Sequence, residues 1–350
     1  MHKNIFYTYI GSNKAVYILN LSSFKYVNIS LEFYKPLGIK RNILKKVFIS
    51  YLCTLSFLSK LFNINSLKNI DAIKDFLAIK IDKTIDFNID FSSSIFISAT
   101  GDKVIVNHTN KYFEKFAFLD SYTKACHEVE IYKLINTKKN YFLTSSMKKI
   151  NIQKNSCSFQ LHNNFIESKL NKIDDYILVE SLVDFFSICE KSYKSILSIC
   201  SEFKDNTYIN EKFEELILKI KNKYKDEIIR VGLTHWDFKI WNVQAYENRI
   251  LIYDFEETKL DGLPLEDLYN YYIDAKIMAN EDINSIVSFI NAQWFNDLRK
   301  DYLNKIAIKT DAQLLLVLYL LNRVVFYGNN GGDDIVKRYI LLLETIEKDI

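Results

Sequence analysis

The chain reads as an α+β protein in which a β-rich stretch precedes a helical one. Three features of the sequence predict this. From about Ile85 to Ser181, short apolar runs alternate with polar residues at the two-residue period of half-buried strands. From about Leu182 onward, apolar residues recur at helical spacing. No Pro/Gly/Ser-rich linker divides the two stretches, so they are expected to pack closely. The organisation expected is an accessory segment at residues 1–85, a β-rich lobe at 86–181 and a helical lobe at 182–350.

In the first segment, Ala15–Leu21 and Tyr26–Phe33 look strand-like, and a helix is predicted from about Asn42 to Phe62. The β-rich lobe offers IDFNIDFSSSIFISAT, KVIVN, YFEKFAF, CSFQLH and YILVES as strands, interrupted by one helix at Ser121–Ile135 that Asp120 or Ser121 can cap. Beyond it, Ala312–Tyr327 is apolar nearly all round, as a buried core helix is. One exception interrupts the helical region. Ile240–Ala245 and Ile250–Phe255 alternate as two strands, with Tyr246–Arg249 as their turn.

Composition narrows the function classes. With 49% hydrophobic and 25% charged residues over 350 positions, the chain has the balance of a globular protein rather than a disordered one. A net charge of +3, with no basic stripe interleaved with aromatics, argues against nucleic acid as a partner. Five scattered cysteines without a CxxC pair argue against a disulfide framework or a zinc site, so a reducing, cytoplasmic compartment is expected. No secretory h-region opens the sequence. The longest uncharged apolar-leaning run, Val47–Ser59, covers 13 residues, short of the roughly 20 that span a bilayer. Lys40, Arg41, Lys45, Lys46 and Lys60 flank it, so this 40–60 helix is expected to pack on the body, with peripheral contact to an anionic membrane as the alternative.

The chemistry concentrates in LTHWDFKIWNVQAYENRILIYDFEETKLDGLPLEDL, residues 233–268. A hairpin turning about position 248 brings Asn242 and Asp254 together at its open end, with Asp237 just ahead of them. An amide and two carboxylates converging as hard oxygen ligands suit magnesium carrying substrate phosphates. His2, His108, His127 and His162 show no metal-ligand spacing, and neither a G-x-S-x-G elbow nor a GxxxxGK[ST] loop is present.

The run H-W-D-F-K-I-W-N, followed by Y-D-F-E, resembles the catalytic and metal loops of protein-kinase-like phosphotransferases, nearest the aminoglycoside phosphotransferase and choline kinase branch. Gly262, Pro264, Asp267 and Leu268 fit that branch's D-x-P-x-x-D-L-like tail. The resemblance implies a bilobal protein-kinase-like fold, with a β-rich N-lobe, a helical C-lobe and the N-terminal segment as an accessory. It implies ATP and Mg2+ as cofactors, Asp237 as base toward an acceptor hydroxyl, and Asn242 and Asp254 as metal ligands. His235 would orient the loop, and Asp267 would brace the helical lobe. Two departures stand out. Trp236 occupies the place of a small residue, and Lys239 sits two after the Asp, as in protein kinases, either neutralising the transferred phosphoryl group or simply solvated.

Such an enzyme needs a strand lysine and a helix glutamate for the nucleotide phosphates. Lys115, alternating with Phe113 and Ala117 on one strand face, is the candidate lysine; Glu128 is the chosen partner, with Glu130 as competitor. The Gly-rich loop is missing. Only Gly101 is available, so backbone around Ser98–Gly101 is the candidate phosphate cradle, and Glu180–Leu182 after the YILVES strand the candidate adenine hinge. Downstream, Glu256, Glu257, Asp261 and Asp274 favour a cationic acceptor, whereas Trp236, Trp241, Tyr269, Tyr271 and Tyr272 suit a quaternary ammonium or a sugar face. Residues 1–85, with a YKP run before the basic helix, loosely resemble members linked to bacterial surface-polysaccharide synthesis. The expected partner is therefore a small-molecule or glycan acceptor; oligomeric state is left open. Retention of Lys115, Asp237, Asn242 and Asp254 favours an active kinase over a nucleotide-binding pseudokinase or scaffold. The absent Gly-rich loop and A-P-E segment argue against a protein kinase.

Overall fold

A computed structural model describes residues 6–10, 15–31, 39–62, 93–108, 112–137, 141–162, 173–204, 206–246 and 248–347. They fall into two compact units, Met1–Tyr132 with Ser145–Glu167, and Lys133–Thr144 with Ser168–Ile350. Tyr34-Lys35-Pro36, the whole IDFNIDF run and His2 lie outside the described residues. The α+β class, with an antiparallel sheet in the N-terminal part and helices in the C-terminal part, is as the sequence predicts.

In the first unit, the alternating runs form one antiparallel sheet ordered β1-β2-β3-β4-β5-β8-β7. Its strands are β1 (Phe6–Ile10), β2 (Val16–Asn20), β3 (Ser93–Ile97), β4 (Lys103–His108), β5 (Tyr112–Phe118), β7 (Met147–Gln153) and β8 (Ser156–His162). Through the pairing of Val16 with Ile97 and Ile18 with Ile95, the first two strands continue the sheet that carries Lys115. Ile18, Ile95, Val106 and Phe116 build a core on one face. On the other, Ala117 and Phe159 pack against Ala125 and Val129 of α3 (Leu119–Asn136), a helix that runs across the boundary between the units.

Two helices also belong to this unit, α1 (Phe24–Ser30) and α2 (Ile39–Phe62). The first corrects the strand expected at Tyr26–Phe33. Ser23 receives the Tyr26 N–H at 3.2 Å, and this capping hydroxyl starts a helix that buries Val27.

In the second unit, β6 (Leu143–Thr144) pairs in parallel with β12 (Arg249–Ile252), which forms a hairpin with β11 (Val243–Tyr246). A separate sheet ordered β13-β10-β9 joins β9 (Ser192–Ser195), β10 (Ile228–Thr234) and β13 (Lys259–Gly262). The helices are α4 (Asp175–Phe186), α5 (Ile196–Ser201), α6 (Thr207–Lys212), α7 (Glu214–Lys223), α8 (Glu266–Tyr269), α9 (Ala275–Met278), α10 (Ile283–Ile290), α11 (Gln293–Lys305), α12 (Ala312–Asn329) and α13 (Asp333–Ile346). As expected, α12 is a core helix, burying eleven side chains from Leu314 to Tyr327; by length and composition alone it could also cross a membrane.

YILVES is not a strand but the middle of α4. Asp174 caps it, accepting from the Tyr176 and Ile177 N–H groups, and Leu178, Val179, Leu182, Phe185 and Phe186 are buried at helical spacing.

Candidate active site

Lys115 and Glu128 meet within the first unit. The strand places Lys115 on the face turned to α3, where its Nζ lies 2.5 Å from Glu128 Oε2, and only 5% of Lys115 and none of Glu128 is exposed. Glu130, two residues on, points to the exposed side of the helix. A buried ion pair is costly to assemble and costlier to break, because removing one partner strands the other charge in a low-dielectric setting. Its field reaches the neighbouring Cys157, whose thiol is pushed up to about 12, first by burial, then by Cys126 and Glu128.

The Ser98–Gly101 turn is committed to itself. Ser98 N–H donates to the Lys103 carbonyl at 2.9 Å and Gly101 N–H to the Ser98 carbonyl at 3.1 Å, with Gly101 at φ +77° as the left-handed turn requires. At its centre is Asp102, which accepts from Thr100, from Ser98 at 2.8 Å and from Ser121 at 2.8 Å. Burial pulls the Asp102 carboxyl upward, but these three hydroxyls outweigh it and hold it below the usual range. The turn's hydroxyls, with the Ser98 and Gly101 N–H groups, are thus engaged within the turn and on Asp102. Glu180 and Leu182 do not form a hinge either. Both lie inside α4, Leu182 is buried, and the Glu180 carboxylate pairs with Lys305 at 3.4 Å.

In the second unit, the loop after β10 is built around Trp236 and Asp237. Trp236 adopts φ +66°, the left-handed region that costs an ordinary side chain roughly 1–2 kcal/mol. The small residue of the resembling loops suits such a backbone; here long-range contacts hold a tryptophan in it instead. The His235 and Trp236 N–H groups donate to the two oxygens of Asp267, at 2.7 and 3.0 Å. The Trp236 carbonyl accepts from Asn270 Nδ2 at 2.8 Å and from the buried Arg323 guanidinium. Two cations lie over the indole, Lys259 at 3.2 Å and Arg323 at 4.3 Å from its centroid. Burial pushes the Asp267 carboxyl up to about 7, with the two N–H donors pulling the other way. Gly262 is needed at the edge of this arrangement, because a Cβ there would lie 1.9 Å from Thr234 Oγ1.

His235 is fully buried among Phe185, Phe238 and Phe255. Burial drives its pKa down against the opposing pull of Asp237 and Asp254, so the ring is neutral and its Nε2–H donates to the Tyr253 carbonyl at 3.0 Å. That bond ties the loop to the hairpin's outgoing strand. Next, Asp237 is gripped on both oxygens. Lys239 Nζ lies 2.6 Å from Oδ1 and Asn242 Nδ2 donates at 2.9 Å to Oδ2, while 23% of the Asp237 side chain stays open to solvent. Burial alone would pull the Lys239 ammonium down, but Asp274 and Asp237 outweigh it and raise it, so it is charged.

The hairpin register differs by one residue from the expected one. Val243 pairs with Ile252 and Tyr246 with Arg249, which sets Asn242 opposite Tyr253, whose N–H donates to the Asn242 carbonyl at 3.2 Å. Asp254 follows at φ +68°, a second left-handed residue, at the start of a short 3-10 turn, Phe255–Glu257. With the Asn242 amide N–H groups spent on Asp237, its Oδ1 is left as an acceptor.

Of the acceptor-side candidates, Trp236 is buried in the contacts just described, and two more are internal. Tyr269 is buried, with its hydroxyl donating to the Ala312 carbonyl at 3.0 Å. Asp274 is buried beneath the loop, where Oδ1 accepts from Tyr327 at 2.9 Å and from Tyr339, and Oδ2 lies 3.7 Å from Lys239. Neither can meet a substrate. Sequence reasoning missed Arg323, Asn270 and Lys259, for which no local motif exists.

No family model matches the chain, and no curated protein matches its sequence. Among solved structures it is similar to a thermostable mutant of aminoglycoside phosphotransferase APH(4)-Ia, with 12% identity, a TM-score of 0.46, and 79% of this chain against 98% of that one. Aminoglycoside 2'-phosphotransferase-IIIa in complex with GDP gives 12% identity and a TM-score of 0.43 over 71% and 90% of the two chains. Aminoglycoside phosphotransferase APH(3'')-Id from Streptomyces rimosus gives 10% and 0.40 over 76% and 99%.

Proposed function

We propose that the protein is an ATP- and magnesium-dependent phosphotransferase that moves the γ-phosphate to a hydroxyl of a small molecule or glycan. The observation that carries this reading is the Asp237 carboxylate, oriented by Asn242 and Lys239 and open on its remaining side. A carboxylate so held can accept the proton of an acceptor hydroxyl as the phosphoryl group leaves the nucleotide. Lys239, kept charged by Asp274 and Asp237, is positioned to offset negative charge that develops beside that base.

The donor set fits magnesium. Asn242 offers an amide oxygen and Asp254 a carboxylate, both hard ligands of the kind the ion prefers. Bound there, the ion would supply positive charge to offset that of the phosphates. Lys115, fixed by Glu128, would take the α- and β-phosphates. With the Ser98 and Gly101 N–H groups committed to their own turn, this lysine carries more of the nucleotide's affinity than it would beside a Gly-rich loop.

Calorimetric titration with ATP, with and without magnesium, tests the reading, with Asp254→Asn as control. Magnesium-dependent binding that is lost in the variant supports it and justifies screening acceptors, sugars before choline or aminoglycosides. Absence of binding in the wild type overturns it in favour of a scaffold.

A further inference from the structure

We propose that the outward face of α2 docks on an anionic lipid surface. One side of this helix is anchored. Leu52 is buried with Leu19, Leu21, Val27 and Leu31, Ser56 Oγ donates to the Leu21 carbonyl at 2.6 Å, and Phe48 packs on Tyr9 of β1 at 5.1 Å. The other side is open, with apolar residues grouped in its first half and Ser50 and Thr54 beyond them. Ile43, Val47 and Tyr51 follow one another at successive turns, with Leu44 beside them, at 55%, 60%, 48% and 65% exposure.

Apolar side chains of this size, grouped on one helical face, are not the scattered single exposures of an ordinary surface. Lys46 is exposed at the margin of the stripe. Across Ile39–Phe62 the helix carries Lys40, Arg41, Lys45, Lys46 and Lys60 and no acidic residue at all.

Charge selects the occupant. A helix with an open apolar stripe and only positive charge is complementary to the headgroup layer of an anionic bilayer, into which Ile43, Leu44 and Val47 can insert while lysine reaches phosphate. Tyr51 has the amphipathic ring favoured at that depth. A protein partner would leave the one-sided charge of the helix without a stated counterpart. The inference is independent of the phosphotransfer reading, since none of these residues belongs to either charged site.

The test is co-sedimentation of the full chain with phosphatidylcholine vesicles, with and without phosphatidylglycerol. Binding is expected only to the vesicles with phosphatidylglycerol, and it should weaken with salt. It should be lost in Leu44→Asp/Val47→Asp and fall on the order of fivefold in Lys46→Gln. The thermal midpoint and ATP titration of these variants should match wild type, because the side chains are exposed. Equal binding to both vesicle types, undiminished binding by the double variant, or no binding would each overturn the proposal. A concentration-dependent dimer that the double variant dissociates, without vesicle binding, would instead assign the face to a second copy of the chain.

Discussion

In the sheet unit the charged chemistry of the candidate site centres on the Lys115–Glu128 pair, sealed between a strand and a helix. In the helical unit it is spread out. Asp237 is held by Asn242 and Lys239, and the neighbouring Trp236 by Asp267, Asn270, Arg323 and Lys259. A single buried pair fails when either partner is lost, because the survivor keeps its desolvation cost and loses its compensation. A network loses one contact at a time. The two units should therefore respond differently to substitution, the first mainly in stability and the second mainly in turnover.

The largest effect belongs to the network's one irreplaceable group. Asp237→Asn should lower turnover by roughly 10²–10⁴-fold, while calorimetric ATP affinity stays within a few-fold of wild type. Near-normal turnover would remove Asp237 from the base role. Lys115→Met should then cost about 3–5 kcal/mol in denaturant unfolding by breaking the buried pair, and Lys115→Met/Glu128→Leu should recover most of it. If the single variant is as stable as wild type, the contrast between the units collapses.

Arg323→Met sharpens the same contrast from the other side. It leaves Asn270 on the Trp236 carbonyl, so the loss should be about 1.5–3 kcal/mol, with kcat falling more than the ATP Kd rises. A rise in Kd without a fall in kcat would argue against its holding the catalytic loop.

His235 supplies a pH signature. Its folded pKa is depressed by burial, so its contribution is complete above the unfolded value of about 6.5 and is lost as pH falls through the depressed one. Wild type should lose stability relative to His235→Gln as pH drops below about 6.5, at up to about 1.4 kcal/mol per pH unit. Parallel profiles would show that the ring is not held neutral. The smallest effect is expected at Glu130, where Glu130→Gln should stay within about 0.5 kcal/mol of wild type. A cost as large as that of Glu128→Gln would mean that the exposed glutamate shares the lysine.

Much of this was legible in residue types and short spacings. Strands β4, β5 and β8, the helix after β5, the core helix at Ala312 and the hairpin after Trp241 follow from periodicity and turn residues. Where the reading failed, the failures share a cause. YILVES and the run from Tyr26 are short apolar stretches that suit strand and helix alike, and capping side chains at Asp174 and Ser23 settle them as helices. The hairpin register was one residue off because a turn of similar residues can close at either of two positions.

By itself, the sequence determined the α+β order of elements and nominated Lys115, Glu128, Asp237, Asn242 and Asp254 as candidate site residues, because periodicity and residue type are local properties. Only the tertiary structure decided which of Glu128 and Glu130 faces Lys115, and that Ser98 and Gly101 serve their own turn. It also decided that Asp274 is buried beneath the Asp237 loop, and that a tryptophan can occupy a left-handed position. That last choice depends on Arg323, 87 residues away in the chain. Contacts at such separations are made by packing, and no local pattern carries them.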